Sequence, residues 1–190
     1  MKTMATGIAF ALVLWPAFAQ AKESQAKMTD ARLVTLLQKC NREEIEAGQM
    51  AQRRGMSEAV RNLGKTLIAD HTQAEKEVAE AAKKAKVAAS DSALTDQDRQ
   101  EEKVGKNKME QMKKMDGAEF DKAFASEMSN DHAHMISLLK EGKGDLHSDA
   151  LKKLVDDTLP VLQQHKDLAD AAASKVARAG SQGNQGRSPR

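Results

Sequence analysis

Four polar side chains lie on the apolar stripes of predicted helices, and they are the residues of this sequence best suited to chemistry. They are Glu44, His71, His132 and His165. Helical residues advance by about 100° per step, so residues three and four apart share a face. Glu44, for example, falls on the stripe of Leu37 and Gly48. One carboxylate and three imidazoles on inward faces can meet in a helical core, and transition metals accept such ligands.

Two interpretations of this polar layer remain open. In the structural one, Glu44 is hydrogen-bonded to His165 or His71 and fixes helix register, because a buried carboxylate without a partner costs several kcal/mol. In the chemical one, the four side chains bind a single zinc, copper or iron ion. Asp70 and Asp131 would then orient the imidazoles from outside, or cap and pair at the surface.

Several other chemistries do not fit the spacing. A ferritin-type di-iron centre needs Glu-x-x-His on each of two helices, and the nearest match in this chain is Asp131-x-x-His134. His132 and His134 cannot share an ion within one chain, because two residues apart on a helix they point about 200° away from each other. Cys40, the only cysteine, lies on a predicted apolar face and is interpreted as a small buried hydrophobe. The sequence predicts no catalytic residue and favours a protein that is not an enzyme.

Helical periodicity runs through every long segment after Thr29, and no segment alternates as a β-strand does. We therefore predict an all-α fold of two helical hairpins, at residues 30–87 and 118–178, joined by a long connection. A shorter helix at residues 96–115 is predicted inside that connection. The predicted capping pairs are Thr95 with Asp98 and Asp116 with Glu119.

The last predicted helix carries an apolar stripe that includes Leu154, Val161 and Leu168, with His165 at its centre. Pro160 removes a backbone donor, which predicts a kink shortly before His165.

The Asp-His pair occurs twice, as Asp70-His71 and, 61 residues later, as Asp131-His132. Two related helix pairs joined by a long connection are typical of a four-helix bundle built as a duplicated hairpin. Together with residues 41–78 and Leu159-Pro160…His165, these elements resemble the ferritin-like family of exported bacterial proteins catalogued as domain of unknown function 4142, often labelled predicted outer-membrane proteins. The resemblance covers about residues 30–176. It implies a ferritin-like fold and export, without a settled activity.

The N-terminal residues have the layout of a secretory signal peptide. Lys2 precedes an apolar segment at residues 7–14, and small residues before Lys22 offer cleavage sites. Export to the periplasm is therefore predicted. The predicted organisation is a signal peptide at residues 1–21, a bundle at residues 30–178 and a disordered, Gly- and Ser-rich tail at residues 179–190.

Composition limits the partners. The chain has 190 residues, with 30 Lys and Arg against 28 Asp and Glu. Nearly balanced charge, without a basic block that contains aromatic residues, argues against nucleic-acid binding. No segment after the signal approaches ~20 consecutive apolar residues, so we do not expect the mature protein to span a membrane. The predicted partners are a second copy of the chain or an envelope protein, and the only cofactor that the sequence suggests is a single divalent metal ion.

Overall fold

The computed structural model describes residues 26–185, with side chains as far as residue 179. Within that range the regular structure is helical and no β-strand forms, which confirms the predicted all-α class. The predicted signal peptide lies outside the described residues. None of the described helices is both long and apolar enough to cross a bilayer. The helices are α1 (Asp30–Arg54), α2 (Glu58–Ala85), α3 (Asp96–Met112), α4 (Gly117–Gly142) and α5 (Asp149–Gln185), with short 3₁₀ turns at Asp91–Ala93 and Lys143–Asp145.

Local capping sets most helix starts. The Thr29 hydroxyl accepts a hydrogen bond from the Arg32 amide at 3.1 Å, so α1 begins where the sequence predicts. The predicted capping box of α3 is confirmed, because the Asp98 amide donates to the Thr95 hydroxyl and the Thr95 amide donates to the Asp98 carboxylate.

The predicted capping role of Asp116 with Glu119 is wrong. Asp116 precedes α4 but makes no side-chain cap. Its carboxylate instead accepts a hydrogen bond at 2.7 Å from Arg54, the last residue of α1. The Asp116 carboxylate is therefore directed to the end of α1 and not to the amides in the first turn of α4.

The four long helices form two antiparallel hairpins, α1 with α2 and α4 with α5, and α2 packs against α5. The apolar core has two separate clusters, one at each end of the hairpins. The first contains Leu33 and Leu151, from early in α1 and α5, together with Val78 and Leu139, from late in α2 and α4. It follows that α2 and α4 run in the same direction, as do α1 and α5.

The second apolar cluster contains the two large aromatic side chains of the described residues, Phe120 and Phe124, which stack on each other with ring centroids 5.7 Å apart. Leu63 and Leu67 of α2 complete this end of the core. The two clusters leave the middle of the core to polar side chains.

The buried face of α5 differs from the predicted one. Val161 and Leu168 are each 38% exposed, whereas Leu162 and Ala169 are buried. Steps of three and four residues run from Leu162 through His165 to Ala169, so His165 keeps its place on the inner face. Val161 and Leu168 lie on the other side of His165, each about 100° from the buried residue that follows it. The helix also continues to Gln185, past its predicted end, so residues 179–185 of the predicted tail are helical. Residues 186–190 lie outside the described range.

Two glycines allow α1 and α2 to approach closely. A Cβ atom added to Gly48 would lie 2.6 Å from the carbonyl oxygen of Gly64, and one added to Gly64 would lie 2.7 Å from Cβ of Ala51. Only hydrogen atoms fit in these positions, so backbone meets backbone at this crossing. The close approach fixes the spacing of α1 and α2 about one turn from Glu44 and two turns from His71.

Helix α3 lies over the seam between α1 and α4. Its first turn is joined to α1 by a buried ion pair in which Arg32 donates to both carboxylate oxygens of Asp98, at 2.8 and 2.7 Å. Farther along, Lys108 of α3 pairs with Glu127 of α4. These contacts hold α3 across the seam and leave a cleft beneath it.

Candidate metal centre

A polar layer lies between the two apolar clusters. It contains one or two buried residues from each of the four long helices, and each residue as a whole is at most 6% exposed. Its members are Asn41 and Glu44 of α1, His71 of α2, His132 of α4 and His165 of α5.

The three imidazole rings converge at the centre of this layer. Ring centroids are 5.2 Å apart for His165 with His71 and with His132, and 5.9 Å apart for His71 with His132. One nitrogen from each ring lies within 4.8 Å of the other two. Across residues 26–185 this is the one group of three or more histidine, cysteine or acidic side chains spaced to hold a metal ion.

His71 is held by an asparagine that sequence reasoning missed. Its Nδ1 donates to Oδ1 of Asn41 at 2.9 Å, and its Nε2 has no partner. Burial, with the neighbouring rings of His165 and His132, lowers the pKa of His71 to about 3, so the ring is neutral near pH 7. The signal was available, because Asn41 lies four residues after Leu37 and three before Glu44, in register with the buried stripe.

His132 is held by its own helix. Its Nδ1 donates to the carbonyl oxygen of Met128 at 2.8 Å, which leaves Nε2 pointing to Nδ1 of His165 at 3.2 Å. Burial is the largest influence on this ring and lowers the pKa of His132 to about 4. This imidazole is therefore also neutral near pH 7 and presents a lone pair to the centre.

His165 is held from the rim of the hairpins. Its Nε2 lies 2.9 Å from Oδ2 of Asp70, a carboxylate whose side chain is 41% exposed. Asp70 therefore contacts this imidazole on its outer side. Asp131, its counterpart in the internal repeat, makes no hydrogen bond to any of the three rings and instead lines the cleft under α3.

Glu44 stands outside the group of three rings. Its Oε1 lies 3.9 Å from Nδ1 of His132, too far for a hydrogen bond, and its Oε2 has no partner. It makes no hydrogen bond to His165 or His71, the two partners that the structural interpretation predicted. Burial, reinforced by neighbouring carboxylates including Asp131, raises the pKa of Glu44 to about 8.

The outer nitrogen of each ring thus contacts an acceptor of a different kind. The acceptors are the amide oxygen of Asn41, the carbonyl oxygen of Met128 and the carboxylate of Asp70. Such outer contacts fix the tautomer and the orientation of an imidazole, as they do for histidines that bind metals. The arrangement can bind a cation between three inward nitrogens.

Comparisons with known proteins bear on the family. Neither the curated proteins nor the solved structures gave a match to this chain. The family described as "Domain of unknown function (DUF4142)" matches residues 16–172. This match covers all of α1 to α4, most of α5 and all three histidines of the polar layer. The chain belongs to the DUF4142 family.

Proposed function

We propose that this protein is an exported metal-binding protein in which His71, His132 and His165 hold one divalent transition-metal ion. The observation that carries the proposal is the pairing of every outer ring nitrogen with an acceptor while the inner nitrogens converge. We propose further that the two hairpins have a ferritin-like arrangement and that the protein works in the periplasm, as the signal-like N-terminus suggests.

Counting protons on the rings supports a cation at the centre. With an acceptor on each outer nitrogen, all three rings carry their proton outward, and three lone pairs face inward. Nε2 of His132 and Nδ1 of His165 would then oppose each other at 3.2 Å with no proton between them. Such a contact needs either an added proton or a metal ion.

A metal ion accounts for more of the geometry than a proton does. A proton on Nδ1 of His165 would join His165 to His132, but Nε2 of His71 would still be buried without a partner. An unsatisfied buried acceptor of this kind costs about 1–3 kcal/mol. One ion coordinated by all three nitrogens removes both problems at once.

The chemistry of the donors indicates the class of ion. Neutral imidazoles suit zinc, copper and iron, whereas calcium and magnesium prefer oxygen ligands. Glu44 faces the outer nitrogen of His132, so it serves better as an outer carboxylate than as a ligand. None of the three rings lines the cleft under α3, which favours binding or storage over turnover of a substrate.

A second candidate is an architectural role, in which the layer only sets helix register in an envelope protein that acts through a partner. The observation in its favour is a continuous chain of hydrogen bonds from Asp70 through His165 and His132 to Met128, complete if His165 carries two protons. In that state the positive ring is paired with the Asp70 carboxylate.

Calorimetric titration of the metal-free protein with zinc separates the two candidates. We expect one site per chain in the wild type, and a loss of affinity of at least about 100-fold in His71→Ala and in His165→Ala. His134→Ala is the matched control, because His134 lies on α4 beside the site but is exposed and pairs with Glu101. If the wild type binds zinc no more tightly than His71→Ala, the layer is architectural.

A further inference from the structure

A cleft of about 290 Å³ lies between α1, α3 and α4, next to the polar layer but not lined by its three histidines. We call it the α3 cleft. Much of its wall is apolar, and the side chains that form this wall are Leu36, Ala47, Met109, Met112, Met135 and Leu138. The volume is at the lower end of the range for pockets that bind small molecules.

Three carboxylates in the wall of the α3 cleft have no basic partner. They are Glu43, Glu44 and Asp131, and none of them takes part in an ion pair with lysine or arginine among the described residues. The lysines around the cleft are already paired with other acids, as Lys39 is with Glu102 at 3.2 Å and Lys108 with Glu127 at 2.5 Å. Acidic side chains therefore outnumber basic ones in the lining of this partly apolar cleft.

The Glu44 carboxylate lacks a hydrogen-bond donor. Its side chain is 8% exposed, and its Oε2 is buried with no hydrogen-bond partner among the described residues. A buried carboxylate oxygen normally has at least one donor, because leaving it without one is costly. The residue lines the α3 cleft, so a ligand in that space can supply the donor.

We infer that the α3 cleft binds a small organic cation with an apolar body, of the alkylammonium class. The ammonium group would donate to the Glu44 carboxylate, and the alkyl chain would lie against the methionine and leucine side chains of the wall. An anion would find no basic partner at these three acids, and a neutral molecule would not favour the ionised form of Glu44 as an ammonium group does. A metal ion does not fit, because the acidic, cysteine and histidine side chains of this cleft form no group of three at coordinating distance.

The inference is tested by calorimetric titration of the full mature protein with n-octylammonium, 1-octanol and octanoate, which differ in head-group charge. We expect the ammonium to bind at least about tenfold more tightly than the alcohol, as a hydrogen bond between charged groups requires. We expect octanoate to bind more weakly still. In Glu44→Gln the preference for ammonium over alcohol should disappear. Equal affinity for ammonium and alcohol in the wild type, or an unchanged preference in Glu44→Gln, would overturn the inference.

A second variant tests the location without touching a carboxylate. Gly105 of α3 lines the cleft, and a Cβ atom added there meets nothing within 4 Å. Gly105→Leu should fill the cleft and strengthen the helix, since leucine is a better helix former than glycine. We expect it to weaken octylammonium binding at least about tenfold, whereas Gly144→Leu, equally unhindered but outside the cleft, should bind as the wild type does. Unchanged binding in Gly105→Leu would exclude this cleft.

The metal centre and the α3 cleft can be tested independently of each other. His71→Ala removes a ring of the metal centre that does not line the α3 cleft, so it should keep octylammonium binding within about threefold of the wild type. Circular dichroism melting of each variant shows that it is folded before titration. Loss of octylammonium binding in His71→Ala, with the fold intact, would contradict a separate site.

Discussion

Replacing Glu44 with glutamine keeps the shape of the side chain and removes the charge that a folded protein must bury at alkaline pH. In the folded metal-free protein the pKa of Glu44 is raised to about 8 from an ordinary value of 4.5, first by burial and then by nearby carboxylates. Between these two values the folded state holds a proton that the unfolded state has released. Raising the pH therefore favours unfolding of the wild type, whereas glutamine has no such dependence.

The size of the effect follows from the two pKa values. Each pH unit between them changes the free energy of unfolding by about 1.4 kcal/mol. From about pH 5 to about pH 8 the wild type should therefore lose about 3 kcal/mol of stability relative to Glu44→Gln. This difference is a large share of the stability of a domain of this size.

Urea unfolding followed by far-ultraviolet circular dichroism measures the difference directly. Wild type and Glu44→Gln are compared at several pH values between about 5 and 8, at one ionic strength and with a chelator present. Glu80→Gln is the control, because Glu80 is an exposed glutamate on α2 and should leave the pH dependence unchanged. A stability difference between wild type and Glu44→Gln that stays constant over this range would refute the burial of an uncompensated carboxyl at residue 44.

Two further predictions concern packing and the rings. Gly48→Ala should lower the melting temperature by several degrees, because its new methyl group would lie 2.6 Å from the carbonyl oxygen of Gly64. Gly105→Ala is the control, because its new methyl group meets nothing within 4 Å and should not lower the melting temperature. Equal melting temperatures for the two variants would contradict the close approach of α1 and α2. In metal-free Glu44→Gln, urea unfolding should show that stability falls as the pH drops below about 6.5. The reason is that His71 and His132 take up protons near pH 6.5 in the unfolded chain, whereas in the folded protein their pKa values are lowered to about 3 and about 4. Stability that is flat from about pH 7 to about pH 4.5 would contradict neutral rings.

Periodicity and caps predicted much of the fold. The apolar stripes lie at helical spacing and the caps are local, so α1 ends where predicted and the Thr95 capping box forms. The same spacing predicted three histidines on inward faces at similar heights, and their rings converge in the core. Features that depend on contacts within one or two helical turns, such as caps and helix boundaries, can be predicted from the sequence.

The errors arise where tertiary contacts decide. Asp116 does not cap α4, and its carboxylate accepts a hydrogen bond from Arg54 of α1. Val161 and Leu168 are apolar but lie beside, not on, the line that α5 presents to the core. Glu44 and His165 share the layer but not a contact, because rotation of each helix about its axis moves a side chain by several ångströms. Local pattern does not fix that rotation; packing against the other hairpin does.

The central claim is that three imidazoles hold one metal ion, and X-ray absorption spectroscopy of the zinc-loaded protein tests it most directly. We predict a zinc shell with three imidazole nitrogens at about 2.0–2.1 Å, reduced to two in His71→Ala. A first shell of oxygen ligands alone, unchanged by His71→Ala, would contradict it.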